Sequence, residues 1–371
     1  MIDMRIIHFH PDPRMAMIFI APLMQAERRK GMESELVFSV HRSGIEGTNI
    51  PFDLSAPNLP GLPLALWRVW KYLKRRRPDV VFSHNTKSSL IPLIGAWLAG
   101  VPARVYFNHG VPYVGYQGIL SVILRALERW NIAFATHVVT VSRDMQTLLC
   151  DVSPRTKAQI IHYGSASGID LHIFSPELYS RTGWREAHGL HDEDLVVVYV
   201  GRPEKRKGFE LVLRLWSNQF HDGNIKLLLC GSGPDDVLRY LSTLPPNIIP
   251  LGFVHNVPEV LAASDLMILP SLHEGLSYAC LEAQAGGAVV VANNIPGIRC
   301  LVEDWTTGFL VSDNEPMQYV KIIREVSNNR SLLGPIQQKA KLNVLNYSRE
   351  AFIPLYLSYL QTLLTTHSSG K

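Results

Sequence analysis

The chain has 371 residues, 47% hydrophobic and 18% charged, with 26 glycines and 24 prolines. That composition excludes a disordered, collagen-like or coiled-coil protein, and the length suits two domains. A balance of 36 Lys+Arg against 32 Asp+Glu, net +4, is too mild to call for nucleic acid as a partner.

The charge is unevenly spread. Residues 1–180 hold 19 basic and 13 acidic side chains (+6), and residues 181–371 hold 17 and 19 (−2). The first half is therefore expected to meet an anionic partner or surface. Four cysteines, Cys150, Cys230, Cys280 and Cys300, form no C-x-x-C pair and lie in or beside apolar runs. A disulfide scaffold or zinc ribbon is not expected, and a reducing, cytoplasmic setting is. The charge-free run Ser88–Ala103 is broken by Pro92, Gly95, Gly100 and Pro102, and is shorter than the ~20 apolar residues a membrane span needs. Met15–Met24 has the look of a signal core, but Asp3, His8, His10 and Asp12 precede it and AERRKG follows without a clear cleavage site. Both runs are expected to be buried helices.

In chain order, Met4–His8 reads as a strand, Met15–Lys30 as a helix closed by Gly31, and Glu35–Val40 as a strand. A basic helix Leu64–Arg77 stops at Pro78. Then come strand Asp79–Ser83, helix Ser88–Leu98, strand Arg104–Asn108, helix Ile119–Phe134 and strand His137–Ser142. A loop-rich linker, Ile160–Pro176, follows. The alternation restarts with strand Leu195–Val200, helix Phe209–Trp216, strand Lys226–Cys230 and helix Pro234–Leu244. It continues through strand Asn247–Leu251, helix Val257–Ser264, strand Leu266–Leu269, a helix through Leu281–Ala285 and strand Ala288–Ala292, to an amphipathic end at Ala351–Leu364. Such punctuation predicts an α/β fold of two doubly wound, Rossmann-like domains, residues 1–175 and 176–351, with a last helix 352–371 packing back on the first. Ligands of open α/β sheets sit at the carboxyl ends of the strands, so a cleft between two such domains is the expected site.

Three strand-end segments carry chemistry. In HEGLSYACLEAQAGG, Glu274 lies at a strand–helix turn and Glu282 eight residues on. If the whole segment is helical, the two carboxylates lie ~12 Å apart along one face. Carboxylates accept well from vicinal hydroxyls, and the amides of Gly275, Leu276, Ser277 and Tyr278 at a helix start suit an anionic diphosphate. E-x7-E is also common as a solvated helix face, and spacing alone leaves both readings open. In GRPEKRKG, Arg202 and Lys207 flank one turn after a strand, and paired cations there suit a diphosphate; a solvated basic turn would read the same way. Gly231-Ser232-Gly233-Pro234 is a third strand-end loop, but a lone G-x-G is weak.

Taken in order, GR-x4-K, GSGP, LGFV, SDLMILPS-x2-EGL, E-x7-E and PGIRCLVEDWTTGFLV, from Tyr199 to Ser312, resemble the retaining GT-B glycosyltransferases of family 4. In the first half PDVVFSHN, NHG, THVVTVS and GSASGIDLHIFSP match as well. The linker and the HGVPY segment look most like the branch that builds capsular polysaccharide and O-antigen units on a polyprenyl diphosphate. The resemblance implies a hexose transferred from a nucleotide-diphosphate sugar, UDP favoured, to a glycan or lipid-linked acceptor. It implies that residues 1–175 bind the acceptor and 176–351 the donor. Arg202 and Lys207 would neutralise the leaving diphosphate, Glu274 would hold sugar hydroxyls and Glu282 the ribose. Backbone at Gly252, Phe253 and Val254 would border the base. His109 would face the reacting sugar as a catalytic residue beside Glu274.

The sequence departs from that family in two places. The loop after the first strand, His10-Pro11-Asp12-Pro13-Arg14, lacks the usual paired glycines, so no phosphate contact is carried over there. Gly275-Leu276-Ser277-Tyr278 replaces the common G-F-G-L, which points to a reshaped sugar pocket. Asp192-Glu193-Asp194 matches D-x-D but precedes a strand, so it reads as a solvated turn, and neither a metal nor another cofactor is expected. The basic helix 64–77, with Trp67 and Trp70 among its cations, fits the inner surface of an anionic membrane as well as a solvated helix. A nucleotide-sugar 2-epimerase of the same fold, or a non-catalytic sugar-nucleotide binder, are the rival functions.

Overall fold

The computed structural model describes residues 4–40, 44–53, 61–221 and 223–368, and the side chains of the last helix through Leu363. The chain forms two compact units, one from the residues up to Gly168 plus those from Arg349 on, the other from Ile169–Ser348. The break lies before the expected 175/176, because Ile169 already belongs to the second unit: its N–H donates to the Tyr347 carbonyl at 2.9 Å. The last helix starts at Arg349 rather than 352, and the final three residues of the expected 352–371 lie outside the described residues.

The first unit opens with β1 (Arg5–His10). The expected helix 15–30 is two helices, α1 (Pro13–Phe19) and α2 (Ala21–Arg29). Asp12 caps α1 through the Arg14 N–H at 2.9 Å. Pro22, in the first turn of α2, has no N–H to continue the ladder across Ile20. Next come β2 (Glu33–Phe38), the two-residue edge strand β3 (Thr48–Asn49) and α3 (Leu62–Arg76). The chain goes on through β4 (Val80–His84), α4 (Thr86–Ala99), β5 (Ala103–Asn108), α5 (Gly118–Phe134), β6 (His137–Thr140) and α6 (Arg143–Val152). The sequence reading had not separated α6, which Ser142 caps through the Met145 N–H.

The second unit comprises α7 (Arg181–Ala187), β7 (Leu195–Val200), α8 (Phe209–Gln219), β8 (Ile225–Cys230) and α9 (Pro234–Leu238). Helix α9 ends before the expected Leu244, as the chain unwinds ahead of Pro245-Pro246. Then follow β9 (Ile248–Gly252), α10 (Val257–Ala263), β10 (Leu266–Leu269), α11 (Tyr278–Gly286), β11 (Val289–Asn293) and β12 (Phe309–Val311). Helices α12 (Pro316–Asn328) and α13 (Leu333–Leu345) close it, and α14 (Arg349–Ser368) returns to the first unit.

Both sheets are six-stranded, with orders β3-β2-β1-β4-β5-β6 and β12-β11-β10-β7-β8-β9. Every named strand pair is parallel. Numbered from its own first strand, each sheet reads 3-2-1-4-5-6, the doubly wound order. The strands read as continuous apolar runs because helices cover both faces. In the second unit Leu195, Val197, Tyr199, Trp216, Leu227, Leu229, Ile268, Val291 and Phe309 form one buried core. Among the described residues no helix is long and apolar enough to cross a membrane.

Candidate active site

In a doubly wound sheet the connections leave in opposite directions where the order reverses, and the loops at that switch point diverge to leave a crevice. In the second unit this point lies between β7 and β10. The loop Gly201–Gly208 leaves one strand, and Pro270–Ser277 leaves the other. Lys207 Nζ donates to Glu274 Oε1 at 2.6 Å, with both side chains largely buried. Two further bonds stitch the loops: Leu272 N–H to the Arg206 carbonyl at 2.9 Å, and the Arg206 guanidinium Nη1 to the His273 carbonyl at 3.2 Å. Gly208 ends the first loop at φ 73°, where a Cβ would collide with the Pro270 carbonyl. Only glycine allows this approach.

Arg202 does not join that pair. Its side chain is 72% exposed and pairs with Glu204 at 2.9 Å, while its carbonyl accepts from Tyr199 Oη at 2.9 Å. The expectation that Arg202 and Lys207 point together is corrected accordingly: the tight turn Lys205–Lys207 carries Lys207 alone onto Glu274.

The segment after Glu274 is not helical until Tyr278, so the expected 12 Å of helix between Glu274 and Glu282 does not exist. Residues 274–277 instead run as a loop against Gly297 (φ 79°), where a Cβ would sit 2.6 and 2.7 Å from the Glu274 and Gly275 carbonyl oxygens. The Ser277 N–H is spent on the Gly297 carbonyl at 3.0 Å, and so is not a free helix-start amide. Ser277 Oγ caps the Cys280 N–H at 3.3 Å, and Leu276 is buried. Gly275 and Tyr278 are half-buried beside them. Glu282, on α11, is half-buried, has no hydrogen-bond or ion-pair partner among the described residues, and burial pushes its carboxyl up to about 7.

Two strands away, Gly252 uses both backbone groups on the GSG loop, its N–H on Ser232 O at 2.9 Å and its carbonyl on Gly231 N–H at 2.7 Å. The next residue, Phe253, is 80% exposed at the end of β9, and Val254 is half-buried. Along this edge the buried hydroxyls of Ser232 and Ser271 have no partner among the described residues.

The first unit has its switch point between β1 and β4, and histidines crowd it. His8 and His10 lie on β1, His84 ends β4, and His109 follows β5. His109 Nε2 lies 2.8 Å from His84 Nδ1, and His84 Nε2 lies 3.2 Å from His8 Nδ1. His8 Nε2 reaches the Glu27 carboxylate of α2 at 3.1 and 3.2 Å. His10 hydrogen-bonds the Asp12 carbonyl at 2.8 Å and Asn85 at 3.0 Å. Burial lowers His109 to about 3, with His10 adding to the effect. Burial likewise lowers His10 to about 4 and His84 well below its usual range. All three imidazoles are neutral at pH 7.

The turn bearing His109 is braced from below. Glu128 of α5 accepts from Thr86 Oγ1 and Tyr106 Oη, each at 2.6 Å. Tyr106 Oη also accepts from Asn108 Nδ2 at 2.8 Å, and Asn108 Oδ1 accepts the Gly110 N–H at 2.9 Å. Burial raises the Glu128 carboxyl to about 7, against the pull of these donors. Sequence reasoning found His109 but missed Glu27 and Glu128. The available signal was a single acid among the apolar residues of each helix.

Asp192-Glu193-Asp194 lies at the amino edge of β7, away from these loops. There Asp194 accepts the His191 N–H at 2.8 Å, and Glu193 offers its carbonyl to Arg330. Among the described residues no group of three His, Cys, Asp or Glu is arranged to hold a metal.

Comparison with known proteins fits this pair of sheets. The family described as Glycosyl transferases group 1 matches residues 180–343, and Glycosyl transferase 4-like domain matches residues 18–164. The Anabaena protein HepE, solved with UDP and glucose, superposes with a TM-score of 0.80 at 18% identity, over 97% of this chain and 100% of that one. Sucrose-phosphate synthase of Thermosynechococcus elongatus gives 0.82 at 17% identity, over 98% and 100%. In sequence, the Escherichia coli UDP-Gal:alpha-D-GlcNAc-diphosphoundecaprenol alpha-1,3-galactosyltransferase is 26% identical, covering 72% of this chain and 71% of its own length. The capsular polysaccharide biosynthesis glycosyltransferase CapM of Staphylococcus aureus is 25% identical over 80% of both. The chain belongs to the family 4 glycosyltransferases of the GT-B fold, and it is a glycosyltransferase enzyme.

Proposed function

We propose that the protein transfers a hexose, with retention, from a UDP-sugar to a polyprenyl-diphosphate-linked or other glycan acceptor in bacterial surface polysaccharide synthesis. The observation that carries this reading is the Lys207–Glu274 pair at the switch point of the second sheet. An ammonium has three N–H donors and Glu274 takes one, so two remain for a diphosphate oxygen. Glu274 keeps an oxygen for a sugar hydroxyl. The partnerless Glu282 carboxylate suits the ribose diol, and the exposed Phe253 ring with Gly252 and Val254 suits the base. Arg202, exposed on its long stem beside Glu204, can reach the phosphates by a change of rotamer. As the glycosidic bond breaks, charge builds on the β-phosphate. Lys207, Arg202 and the backbone at Gly275–Tyr278 would offset it, without a metal or other cofactor. The similar Escherichia coli enzyme is named for UDP-Gal and a diphosphoundecaprenol-linked acceptor, which favours UDP and a lipid-linked glycan here.

The first unit has a surface suited to such an acceptor. On α5 Ile119, Val122 and Ile123 are 80%, 65% and 56% exposed, an unusual density of bare aliphatic residues. On α3 Trp67, Arg68, Lys71, Lys74 and Arg75 face solvent, while Ala65, Val69, Tyr72 and Leu73 are buried. Each cation near an anionic bilayer adds ~1 kcal/mol of attraction. We therefore place the protein at the inner membrane face as a peripheral enzyme.

The test is a calorimetric panel of nucleoside diphosphates and their sugars, followed by product analysis with a polyprenyl-diphosphate-linked sugar. A UDP-sugar should bind, and the anomeric configuration of the product should match the donor. Turnover without acceptor to a 2-epimer would overturn the transferase reading. Inversion would overturn retention. Sedimentation with vesicles should rise with anionic lipid and fall in salt; binding indifferent to both would remove the membrane contact.

A further inference from the structure

Asn85 stands where β4 gives way to α4, at the switch point of the first sheet, in a backbone conformation of φ 70°, ψ 152°. That lies outside the left-handed helical region that asparagine tolerates, in a region that glycine alone enters without strain. At the N-cap position an asparagine side chain ordinarily accepts from the second or third N–H of the helix. The Asn85 side chain makes no such bond, whereas Asp12 and Ser142 cap α1 and α6.

The surroundings enforce that strain. Three successive carbonyls of the turn are each taken by a side chain: His84 by Ser88 Oγ at 2.7 Å, Asn85 by Ser89 Oγ at 2.6 Å and Thr86 by Asn131 Nδ2 at 2.8 Å. The Asn85 N–H donates to the Phe107 carbonyl of β5 at 3.3 Å. Ser88, Ser89 and Asn131 are buried, so their polar groups are committed to this turn. None of the four bonds uses the Asn85 side chain. A glycine would keep all of them and be free of the strain, so the turn itself does not call for asparagine.

The one bond of that side chain sets its direction. A backbone carbonyl only accepts, so His10 carries its hydrogen on Nδ1, 2.8 Å from the Asp12 carbonyl. Burial keeps the ring neutral against the pull of Asp12 and Asp53. His10 Nε2 is then a bare lone pair, and the Asn85 amide donates to it at 3.0 Å. The oxygen at the other end of the carboxamide, on a half-buried residue, has no partner among the described residues. His109 lies beside the same imidazole, 6.5 Å from it ring to ring. We propose that Asn85 is a substrate-binding residue of the first unit, held by His10 so that its carboxamide oxygen accepts a hydroxyl of the acceptor at the switch-point crevice. That the hydroxyl belongs to a glycan acceptor rests on the transferase reading above.

The experiment compares Asn85→Gly and Asn85→Asp with the wild type, as full chains, by melting temperature, calorimetry with UDP and steady-state transfer from a UDP-sugar to a polyprenyl-diphosphate-linked sugar. Asn85→Gly removes the strain and the oxygen together. It should melt no lower than the wild type, bind UDP equally well, and lose about tenfold in kcat/KM for the acceptor, the scale of one hydrogen bond. A lower melting temperature would put the side chain at the service of the fold, and unchanged acceptor kinetics would mean that its oxygen touches nothing; either result overturns the proposal. Asn85→Asp keeps an oxygen at the free end and turns a second one to His10, whose protonated form donates to it. It should recover most of the lost acceptor kinetics and move the His10 titration, followed by 15N-histidine resonances, to higher pH. Acceptor kinetics as poor as those of Asn85→Gly would mean that the free end donates rather than accepts, and overturn the proposal as well. A wild type that binds no UDP and transfers no sugar takes down the transferase reading and this contact with it, whereas an active wild type matched by Asn85→Gly takes down the contact alone.

Discussion

At the switch point of the first sheet, β1 and β4 bring His8, His10 and His84 together and sink the Glu27 carboxylate beneath them. At the switch point of the second, the loops after β7 and β10 set an ammonium against a carboxylate at 2.6 Å, both largely buried. The strand order is the same in both. The lesson is that the doubly wound order supplies a place and not a chemistry. Buried rings can sort hydroxyls, whereas charges held on loops at a strand end can meet a charge that grows during reaction.

The largest expected effect that would break this comparison is at Lys207. Lys207→Ala should cost turnover about 100-fold or more, the scale of one electrostatic stabiliser, while the exposed neighbour Lys205→Ala should do little. Equal losses in steady-state assays would mean the charge is not placed by the switch point at all. Next come the two carboxylates of the same unit. Glu274→Gln should lower kcat and leave UDP binding nearly intact, because its partner in the donor is the sugar. Glu282→Gln should weaken UDP and the UDP-sugar alike. Calorimetry on both variants decides, and matching losses of UDP binding would reverse the donor along α11. A backbone test follows. Gly208→Ala forces a side chain into a left-handed position against the Pro270 carbonyl, and should destabilise the fold by about 2 kcal/mol or more in denaturant melts.

The smallest effect sharpens the comparison most. Glu282 and Glu128, one per unit, are both raised to about 7 by burial. A carboxyl raised above its unfolded value of 4.5 holds its proton longer in the folded state, so stability falls as pH rises from about 4.5 through 7. Glu282 has nothing to accept from, and Glu282→Gln should raise the melting temperature at pH 8 and change it little at pH 4. Glu128 accepts from two hydroxyls, and an amide NH2 would face one of them, so Glu128→Gln should lower the melting temperature at both pH values.

Much of this was legible in the sequence, and the failures have physical causes. Apolar runs marked β1, β7 and β10, because strands buried on both faces leave no alternation to misread. Pro22 was passed over inside an apolar stretch, although a proline in a first turn starts a helix as readily as it ends one. The motif segment His273–Gly287 was read as helical from Glu274; residues 274–277 instead pack as a loop on Gly297, twenty-three residues from Glu274 in sequence. Glu27 and Glu128 show in the sequence only as lone acids of their helices, and their role was hidden for the same kind of reason. Their partners come from β1, β5, α4 and α14, and only the folded chain brings those together.

One contact sets a schedule for biosynthesis. The hydroxyl that closes the Glu27 carboxylate belongs to Tyr356, 329 residues further along the chain. At 5–20 residues per second, a ribosome takes roughly 20–60 s to cover that distance. Through that interval the first sheet can assemble around β1, but the Glu27 carboxylate lacks the Tyr356 hydroxyl and its flank lacks α14. The second unit, contiguous from Ile169 to Ser348, has every segment it needs earlier than the first does. The domain begun first is thus the one finished last, and the nascent first unit waits for the hydroxyl and the helix that complete its core.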